Sequence, residues 1–370
     1  MELKKFDLRK ISTLRSSKAF GVDFNGRTLR IMQLKKDGKN KKMSGWVEKR
    51  IPQGIMESML IVKKDEFKTF FIDTLKQSKG RIKGSRVIVS IPENKVFTRI
   101  IKIPLMDERE AEESVRFETE ANIPISVDEA YFDWQIVQKR KEDMDILIVA
   151  SPMKIIDNYL ESFEVAGYQV VAFEPKSIST GRSVIDSSDE EHVLVVDMGL
   201  ENTSFAIYER GFPIFTSSGS VSGKMLTDMI MKNKGLAIEK AESYKVKIGL
   251  GSTPEEKQES FAILEPVLIT FVDEIKRALN FFNETLAIQR SDASNNKLKI
   301  NKIILTGGGA NLKGLSSYLS INLQETIEQS NPWINVRFKE DVPPVSKEDS
   351  QGFSTVIGLA LRAQKYESYN

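Results

Sequence analysis

A β-hairpin pattern that occurs once in each half of the chain constrains the fold more than any other sequence feature. Residues 20–34 and 195–208 each contain an apolar strand ending in an aspartate, a polar turn with glycine, and a second strand of alternating polarity. The two aspartates are Asp23 and Asp197. A further turn closes each hairpin. Hairpins repeated in this way predict two similar lobes that face a ligand cleft.

Strands and helices alternate along the rest of the chain, which predicts an α/β protein. Thr253, Pro254 and Glu256 form the sequence pattern of a capped helix start. Pro266 is expected to kink or split the helix that follows. The other predicted helices are 107–120, one around 155–163, one near 315–323 and 352–363, and the predicted strands are 86–92, 96–104, 145–150, 168–173 and 303–306.

The amino-acid composition excludes several kinds of chemistry. The 370 residues include no cysteine, which excludes disulfides, thiolate nucleophiles and metal sites with cysteine ligands. His192 is the single histidine and leaves little room for imidazole-based catalysis. The 54 basic and 52 acidic side chains give a net charge of +2, so no nucleic-acid partner is predicted. Carboxylates, hydroxyls and backbone amides remain, and phosphate binding suits these groups best.

The apolar segments predict a location in the cytoplasm. No apolar run is long enough to cross a bilayer, and charges interrupt each apolar run near the start of the sequence. Residues 1–17 form a basic tail with a few apolar side chains. This tail fits a solvated segment better than a weak interfacial membrane anchor.

Three glycine-containing segments are the candidates for chemistry. A hairpin turn with glycine wraps backbone N–H groups around an anion, and an aspartate at the strand end holds Mg²⁺ through water. The third segment is Gly307 to Gly309, where glycine lets the backbone approach a flat ring or a phosphate closely. Each segment alone also fits an ordinary turn. Together they predict a nucleotide clamped from both lobes, with Asp23 and Asp197 as Mg²⁺ ligands through water.

The order of two hairpins and a late Gly-Gly-Gly resembles the superfamily of actin, Hsp70 and FtsA ATPases. Other segments narrow the resemblance to the PilM family of type IV pilus assembly proteins. The longest is 113–135, where a helix ends in Ile-Pro and is followed by Asp-Glu, an aspartate and an aromatic residue. Further matches, in the order of the family, are 147–152, 166–168, 174–175, 222–227, 241–245 and 274–282.

The resemblance implies an actin-like (ribonuclease H-like) α/β fold of two lobes with a small α+β insert, as in FtsA and PilM. It also implies a division into domains. The first lobe (1A) comprises 18–94, 168–191 and 350–370, the insert (1C) comprises 95–167, the second-lobe core (2A) comprises 192–225 and 303–349, and its subdomain (2B) comprises 226–302. Residues 1–17 lie outside these domains as the basic tail.

The resemblance further assigns residues to a site for ATP and Mg²⁺. Glu174 is the candidate to orient a hydrolytic water, with a salt-bridged surface carboxylate as the alternative. Glu242 and Lys245 also fit a solvated helix pair. The implied ligands are Asp23, Asn25, Gly26 and Arg30 in the first phosphate loop, Asp197, Gly199, Asn202 and Thr203 in the second, Glu242 and Lys245 beside the ribose and adenine, and Gly307, Gly308 and Gly309 in the adenosine motif.

Both phosphate loops depart from the pattern of the family. In the first loop the glycine is displaced by one position, and Arg30 stands where lysine is usual. In the second loop Leu200 and Glu201 stand where glycine and a hydroxyl are usual. A carboxylate near a triphosphate is repulsive unless Mg²⁺ lies between them. ATP binding is therefore predicted, whereas hydrolysis is left open.

The function implied by the resemblance is that of a cytoplasmic, ATP-binding component of the type IV pilus machinery. Members of the family dock at the cytoplasmic face of the inner membrane. They grip the N-terminal cytoplasmic peptide of PilN between the first lobe and the insert, so membrane association is peripheral and depends on the partner. Contacts with other pilus components and self-association are left open. The alternatives are an FtsA-like cell-division protein and a phosphotransferase of the same superfamily, such as a sugar kinase.

Overall fold

The computed structural model describes residues 18–25, 27–37, 40–286, 299–336, 338 and 345–366. Predictions for residues 1–17 and Gly26 therefore lie outside the described residues. The described strands are β1 (Ala19–Phe24), β2 (Thr28–Asp37), β3 (Asn40–Arg50), β4 (Met56–Glu57), β5 (Leu60–Ile61), β6 (Lys79–Gly80), β7 (Arg86–Ile91), β8 (Phe97–Pro104), β9 (Ala130–Lys139), β10 (Asp143–Pro152), β11 (Gln169–Pro175), β12 (Val193–Met198), β13 (Thr203–Glu209), β14 (Phe212–Gly219), β15 (Lys302–Thr306) and β16 (Ile327–Gln329). The described α-helices are α1 (Lys64–Lys76), α2 (Glu108–Asn122), α3 (Met153–Val165), α4 (Lys176–Val184), α5 (Gly223–Lys234), α6 (Ile238–Lys247), α7 (Pro254–Phe281), α8 (Leu315–Leu323), α9 (Lys347–Gln351) and α10 (Ser354–Tyr366).

The two lobes contain sheets with the same strand arrangement. In the first lobe the order is β11-β7-β1-β2-β3-β6, and in the second it is β14-β13-β12-β15-β16. Each sheet starts from an antiparallel three-stranded unit, and the first strand of that unit pairs in parallel with a later strand. The repeated hairpin of the sequence thus forms the same part of both sheets. Each aspartate lies in the first strand of its unit.

The insert is a three-stranded antiparallel sheet in the order β8-β10-β9. Helix α2 covers one face, where Ala111 and Val115 pack against Ile146 and Ile148. Helix α2 begins at a capping box, in which the Asp107 side chain accepts from the Arg109 and Glu110 amides. Strand β9 is an edge strand, and among the described residues no other strand pairs with its outer edge.

Helix α3 packs with the first lobe, although the predicted insert range 95–167 includes it. Its Tyr159 and Phe163 are fully buried and join the core formed by Phe24, Phe67 and Phe71. The aromatic rings of this core meet edge to face at centroid distances such as 5.4 Å for Phe67 and Phe163. Strand β10 thus belongs to the insert sheet, whereas the helix that follows it, α3, packs against the first-lobe core.

Helix α7 is continuous over 28 residues and starts at the predicted capping box. The expected split at Pro266 does not occur. The proline removes one backbone donor, so the carbonyl four residues earlier, on Ala262, loses its helical partner. Both residues lie on the exposed face of the helix, where water can satisfy that carbonyl. The opposite face is buried against the second-lobe sheet.

The lobes meet at helices α4 and α10. Helix α10 packs on β1, β2 and α4, and Gly358 permits this contact because a Cβ there would lie 1.8 Å from the Ser179 carbonyl oxygen. From the second lobe, Thr306 hydrogen-bonds to Ser354 at 2.6 Å, and the Tyr208 hydroxyl donates to the Ser177 carbonyl at 2.6 Å. The cleft that the sequence predicts lies beside this junction.

Candidate functional site

The two aspartates of the hairpins lie close enough to influence each other across the junction. Asp23 is 2% exposed, and its Oδ1 accepts a hydrogen bond from the Ser90 hydroxyl at 2.7 Å. Burial raises the pKa of Asp197 above its usual range, and the charge of Asp23 adds to this effect, while Lys176 and Arg30 oppose it. Burial and the neighbouring carboxylate therefore disfavour the ionised form of Asp197 where the two β-hairpins meet.

A lysine that the sequence analysis did not identify lies beside these carboxylates. The Lys176 ammonium is 3.1 Å from Asp23 Oδ1 and donates to the Phe24 carbonyl oxygen. Lys176 is the first residue of α4, a position where a positive charge opposes the helix dipole. A lysine at this unfavourable position was the signal available in the sequence. Its role could not be predicted, because the carboxylate beside it comes from a distant segment of the chain.

The polar residues of the first hairpin turn already have partners within the chain. Asn25 Oδ1 accepts from the Thr28 amide at 2.9 Å, which closes the turn. Arg30 is paired with Glu48 at 3.3 Å, and its guanidinium carbon lies 5.2 Å from the Phe353 ring centre. Arg27, in the turn itself, reaches Glu201 of the second hairpin at 3.3 Å. The last contact is an ion pair between the lobes across the mouth of the cleft.

The second hairpin turn is attached to the start of α5. The Gly199 amide donates to the Asn202 carbonyl at 3.0 Å, while the Gly223 amide donates to the Gly199 carbonyl at 2.9 Å. The Thr203 hydroxyl is buried and donates to the Val221 carbonyl at 2.7 Å. These residues, which are predicted nucleotide ligands, therefore already stabilise the turn within the chain itself.

Glu242 and Lys245 form a connected cluster rather than a solvated pair. Lys245 lies 2.8 Å from Glu242 and donates to the Gly223 carbonyl at 3.0 Å. The Thr227 hydroxyl donates to Glu242 at 2.6 Å. The cluster ties α6 to the start of α5, and Glu242 also lines the cavity described below.

The three late glycines differ in what surrounds them. Gly307 has φ +82°, and a Cβ there would lie 2.3 Å from Asp197 Oδ1. A Cβ on Gly309 would lie 2.4 Å from Met198 Cγ, whereas a Cβ on Gly308 would meet no atom within 4 Å. Gly307 and Gly309 thus allow close contact with the second hairpin, and Gly308 faces open space.

Glu174 is salt-bridged, but it is buried and not on the surface. Its two carboxylate oxygens each accept a hydrogen bond at 2.6 Å from Arg182, and Arg362 adds one at 2.8 Å. Burial opposes ionisation, but the two guanidinium groups outweigh it and hold the pKa of Glu174 below its usual range. The residue joins β11, α4 and α10. Its position therefore differs from that expected of a carboxylate orienting water.

Glu93 is a second buried carboxylate that the sequence analysis missed. It follows β7 in a short 3₁₀ turn and accepts from the Ser177 amide at 3.1 Å. Burial raises the pKa of Glu93, opposed by hydrogen bonds from Ser177 and from Thr216 of the second lobe, while Asp197 raises it further. A glutamate after a predicted strand carries no sequence signal, because only the junction of the lobes buries it.

An open cavity of about 780 Å³ lies beside the hairpin turns, between the lobes. The first lobe contributes Arg27, Thr28 and Trp46, and the second contributes Leu200 and Glu242. Its volume is within the usual range for small-molecule sites, about 300–1,000 Å³.

The described residues contain no group of three or more acidic or histidine side chains arranged to hold a metal ion. Within the same part of the chain, no helix is long and apolar enough to cross a membrane.

The fold is similar to that of several solved actin-like proteins. A structure described as a PilM-PilN type IV pilus biogenesis complex matches with a TM-score of 0.77 and 22% identity, covering 94% of this chain and 98% of that chain. MreB5 of Spiroplasma citri bound to AMPPNP matches with a TM-score of 0.52 and 11% identity, covering 96% of this chain and 98% of that one. EutJ from Carboxydothermus hydrogenoformans matches with a TM-score of 0.51 and 14% identity, covering 94% and 90%. The fold is thus actin-like, as the sequence predicted.

Sequence comparison leads to a family. The cell-division protein FtsA of Staphylococcus epidermidis is 21% identical over 214 residues, which are 54% of this chain but span only 44% of that protein. The model of the family described as type IV pilus assembly protein PilM matches residues 21–364. The match includes both hairpins, the insert and the late glycines. The chain belongs to the PilM family of type IV pilus assembly proteins.

Proposed function

We propose that this chain binds an adenine nucleotide between its lobes. The observation that carries the proposal is the cavity of about 780 Å³ beside the two hairpin turns, with Arg27, Leu200 and Glu242 in its wall. The same fold holds AMPPNP in MreB5 of Spiroplasma citri. Glu242 is the predicted ligand that lines this cavity. The full set of proposed ligands remains that of the sequence analysis: Asp23, Asn25, Gly26, Arg30, Asp197, Gly199, Asn202, Thr203, Glu242, Lys245, Gly307, Gly308 and Gly309.

Mg²⁺ bound through water at Asp23 and Asp197 stays part of the proposal, although Asp23 already has partners within the chain. Its Oδ1 accepts from Ser90 and faces the Lys176 ammonium at 3.1 Å, so a cation already lies beside this carboxylate. The oxygens of Glu174 are likewise all engaged in ion pairs. The proposal is therefore one of nucleotide binding, without a residue assigned to hydrolysis.

Thermal unfolding with and without ATP tests the nucleotide proposal. A ligand at about 100 times its Kd stabilises the folded state by about 2.7 kcal/mol, so the unfolding temperature should rise with ATP concentration. Gly308→Leu is the matched variant, because a Cβ at this position would meet no atom within 4 Å, so the substitution should be tolerated without ligand. We expect Gly308→Leu to unfold at the wild-type temperature without ATP and to lose the ATP-induced rise. A full ATP-induced rise in the unfolding temperature of Gly308→Leu would show that the glycine motif does not contact the nucleotide.

We further propose that an extended peptide, the cytoplasmic N-terminus of PilN, binds along the insert. A groove of about 1,980 Å³ lies between the insert and both lobes, and Phe132, Trp134, Phe173 and Ile178 contribute to its wall. The PilM structure similar to this one was solved with PilN. Binding to a membrane-anchored partner in this way would hold the chain at the cytoplasmic face of the inner membrane.

The free edge of β9 supports an extended peptide in particular. An edge strand presents unpaired backbone N–H and carbonyl groups, and a peptide can add to it as a further strand. Phe132 and Trp134 alternate along β9 beside this edge and are only partly buried. Their apolar surface offers pockets for alternate side chains of the peptide.

Binding of a fluorescent PilN N-terminal peptide, followed by anisotropy, tests the peptide proposal. Single N-methylated residues along the peptide should weaken binding at every second position, because one strand edge uses alternate backbone amides. On the protein, Phe132→Ala should weaken binding about tenfold. The control is Ile321→Ala on α8, which is 77% exposed and outside the groove. Absence of binding by the folded chain would refute the proposal, and uniform effects of N-methylation would refute strand addition.

A further inference from the structure

An ion pair at the mouth of the cleft joins the two hairpin turns. The Arg27 Nε lies 3.3 Å from Glu201 Oε1, and the two side chains are 36% and 47% exposed. Arg27 follows the first strand of one hairpin, and Glu201 follows the first strand of the other. Ion pairs with this much exposure contribute little to stability, because water and salt screen them. The contact can therefore open at little cost to the fold.

The backbone on both sides of this ion pair is anchored independently of it. The Arg27 carbonyl accepts a hydrogen bond from the Ile51 amide at 2.8 Å, at the end of β3. The Leu200 carbonyl accepts from the Lys224 amide at 2.9 Å, at the start of α5. Opening the ion pair therefore requires rotation of two side chains, while both turns stay in place.

Arg27, and not Arg30, is the arginine of the first hairpin that lines the cavity of the proposed nucleotide site. Arg30 is engaged within the first lobe, because Glu48 lies 3.3 Å from its Nε and the Phe353 ring centre lies 5.2 Å from its guanidinium carbon. The Arg30 side chain is only 14% exposed. Arg27 thus offers a guanidinium to a ligand in the cavity without any change in the backbone.

The charges of the cavity wall favour one orientation of a nucleotide. The cations among the lining residues are Arg27, Arg50 and Lys79, and all three lie on the first lobe. Helix α6 of the second lobe contributes carboxylates at positions 239 and 242, and α9 contributes one at position 349. The remaining lining carboxylate, Glu48, is paired with Arg30. Since the phosphates carry the negative charge of a nucleotide, they are attracted to the first-lobe wall and repelled by α6.

We infer that Arg27 binds the phosphates of the nucleotide and releases Glu201 when it does so. The inference rests on the proposed nucleotide site, and it adds a ligand that the sequence analysis did not name. A guanidinium donates two parallel hydrogen bonds to phosphate oxygens, and a phosphate chain carries more negative charge than one exposed carboxylate. Glu201 is therefore an internal competitor of the nucleotide, and binding exchanges an ion pair between the lobes for a contact with the ligand.

Affinities for ATP and for adenosine, measured by calorimetry on the full chain in excess Mg²⁺, test the inference. Arg27→Gln should weaken ATP binding about tenfold and leave adenosine binding unchanged, because adenosine has no phosphate. Arg27→Lys keeps the charge and should retain most of the ATP affinity. The control is Arg116→Gln on α2, which removes an arginine of similar exposure that is paired with Glu120 outside the cavity. It should leave both affinities unchanged.

The competition by Glu201 has a test of its own. Glu201→Gln should strengthen ATP binding about two- to fivefold, the range expected from opening an exposed ion pair. In the Arg27→Gln background the same change should lose most of this effect, because the competition acts through Arg27. A carboxylate that only repelled the phosphates would keep its full effect in that background, and this result would refute the exchange of partners.

The outcomes separate this inference from the function on which it rests. If the wild type binds ATP and Arg27→Gln binds it equally well, the inference is refuted and the nucleotide site stands. The same conclusion follows if Arg27→Gln loses affinity for ATP and adenosine to the same extent. If neither the wild type nor Glu201→Gln binds ATP, the proposed nucleotide site fails and the inference fails with it.

Discussion

At the scale of single residues, burial controls the charges of the cleft as strongly as pairing does. Glu174 and Glu93 are both buried carboxylates near the junction, yet their pKa values move in opposite directions. Two arginines outweigh burial for Glu174. For Glu93, hydrogen bonds alone oppose the effect of burial on the pKa, and the like charge of Asp197 raises the pKa further. The difference lies in the neighbours that tertiary structure supplies, and not in the residue type.

Glu93→Gln should stabilise the protein at neutral pH and lose this advantage in acid. The pKa of Glu93 is raised in the folded state, mainly by burial, so folding favours its protonated form. Ionised Glu93 therefore lowers the free energy of unfolding above the ordinary pKa of a glutamate. As the pH falls through that value the wild type becomes protonated in both states, and the two proteins should converge. Urea unfolding at neutral and acid pH measures the difference.

Glu164→Gln on the exposed face of α3 is the control for this comparison, and we expect it to change stability little at either pH. Glutamine keeps the oxygen that accepts from the Ser177 amide. An advantage of Glu93→Gln that is the same at both pH values would contradict the electrostatic explanation.

At the scale of elements, local sequence signals predicted where a helix or strand begins better than they predicted how far it continues. The capping box of α7 follows from Thr253 and Glu256, three residues apart, and it is present. The continuation of α7 through Pro266 could not be predicted in the same way, since it depends on which face of the helix is exposed. The strands that contain Asp23 and Asp197 could be predicted equally directly, because apolar runs and alternating polarity are local properties of the sequence.

Thr253→Ala should lower the free energy of unfolding by about 1 kcal/mol, the usual cost of losing a helix N-cap. The Thr253 hydroxyl accepts from the Glu256 amide at 3.2 Å, and the Glu256 carboxylate accepts from the Ser252 and Thr253 amides. Thr253→Ser keeps the capping oxygen and should remain near wild type. Denaturant unfolding compares the three proteins. Equal stability of the alanine and serine variants would show that the cap contributes nothing.

At the scale of the whole molecule, the two lobes repeat one sheet and meet through helices that lack an obvious repeat signal. Helix α10 comes from the end of the chain, yet it lies on β1, β2 and α4. The buried pair of Thr306 and Ser354 then joins the late glycine turn to that helix. A ligand that contacts both hairpins would therefore act on the junction as well as on the cleft.

The sequence by itself determined the repeated hairpins, the class of fold and the family. These depend on local periodicity, turns and motif order, which can be read along the chain. Only the tertiary structure decided the environment of Lys176, the burial of Glu174 and Glu93, and the packing of α3 against the first-lobe core. Each of these depends on residues far apart in sequence, such as Asp23 and Lys176 or Glu174 and Arg362. The physical reason is that the free energy of a charge depends on its desolvation and its neighbours, and both are set when the lobes pack.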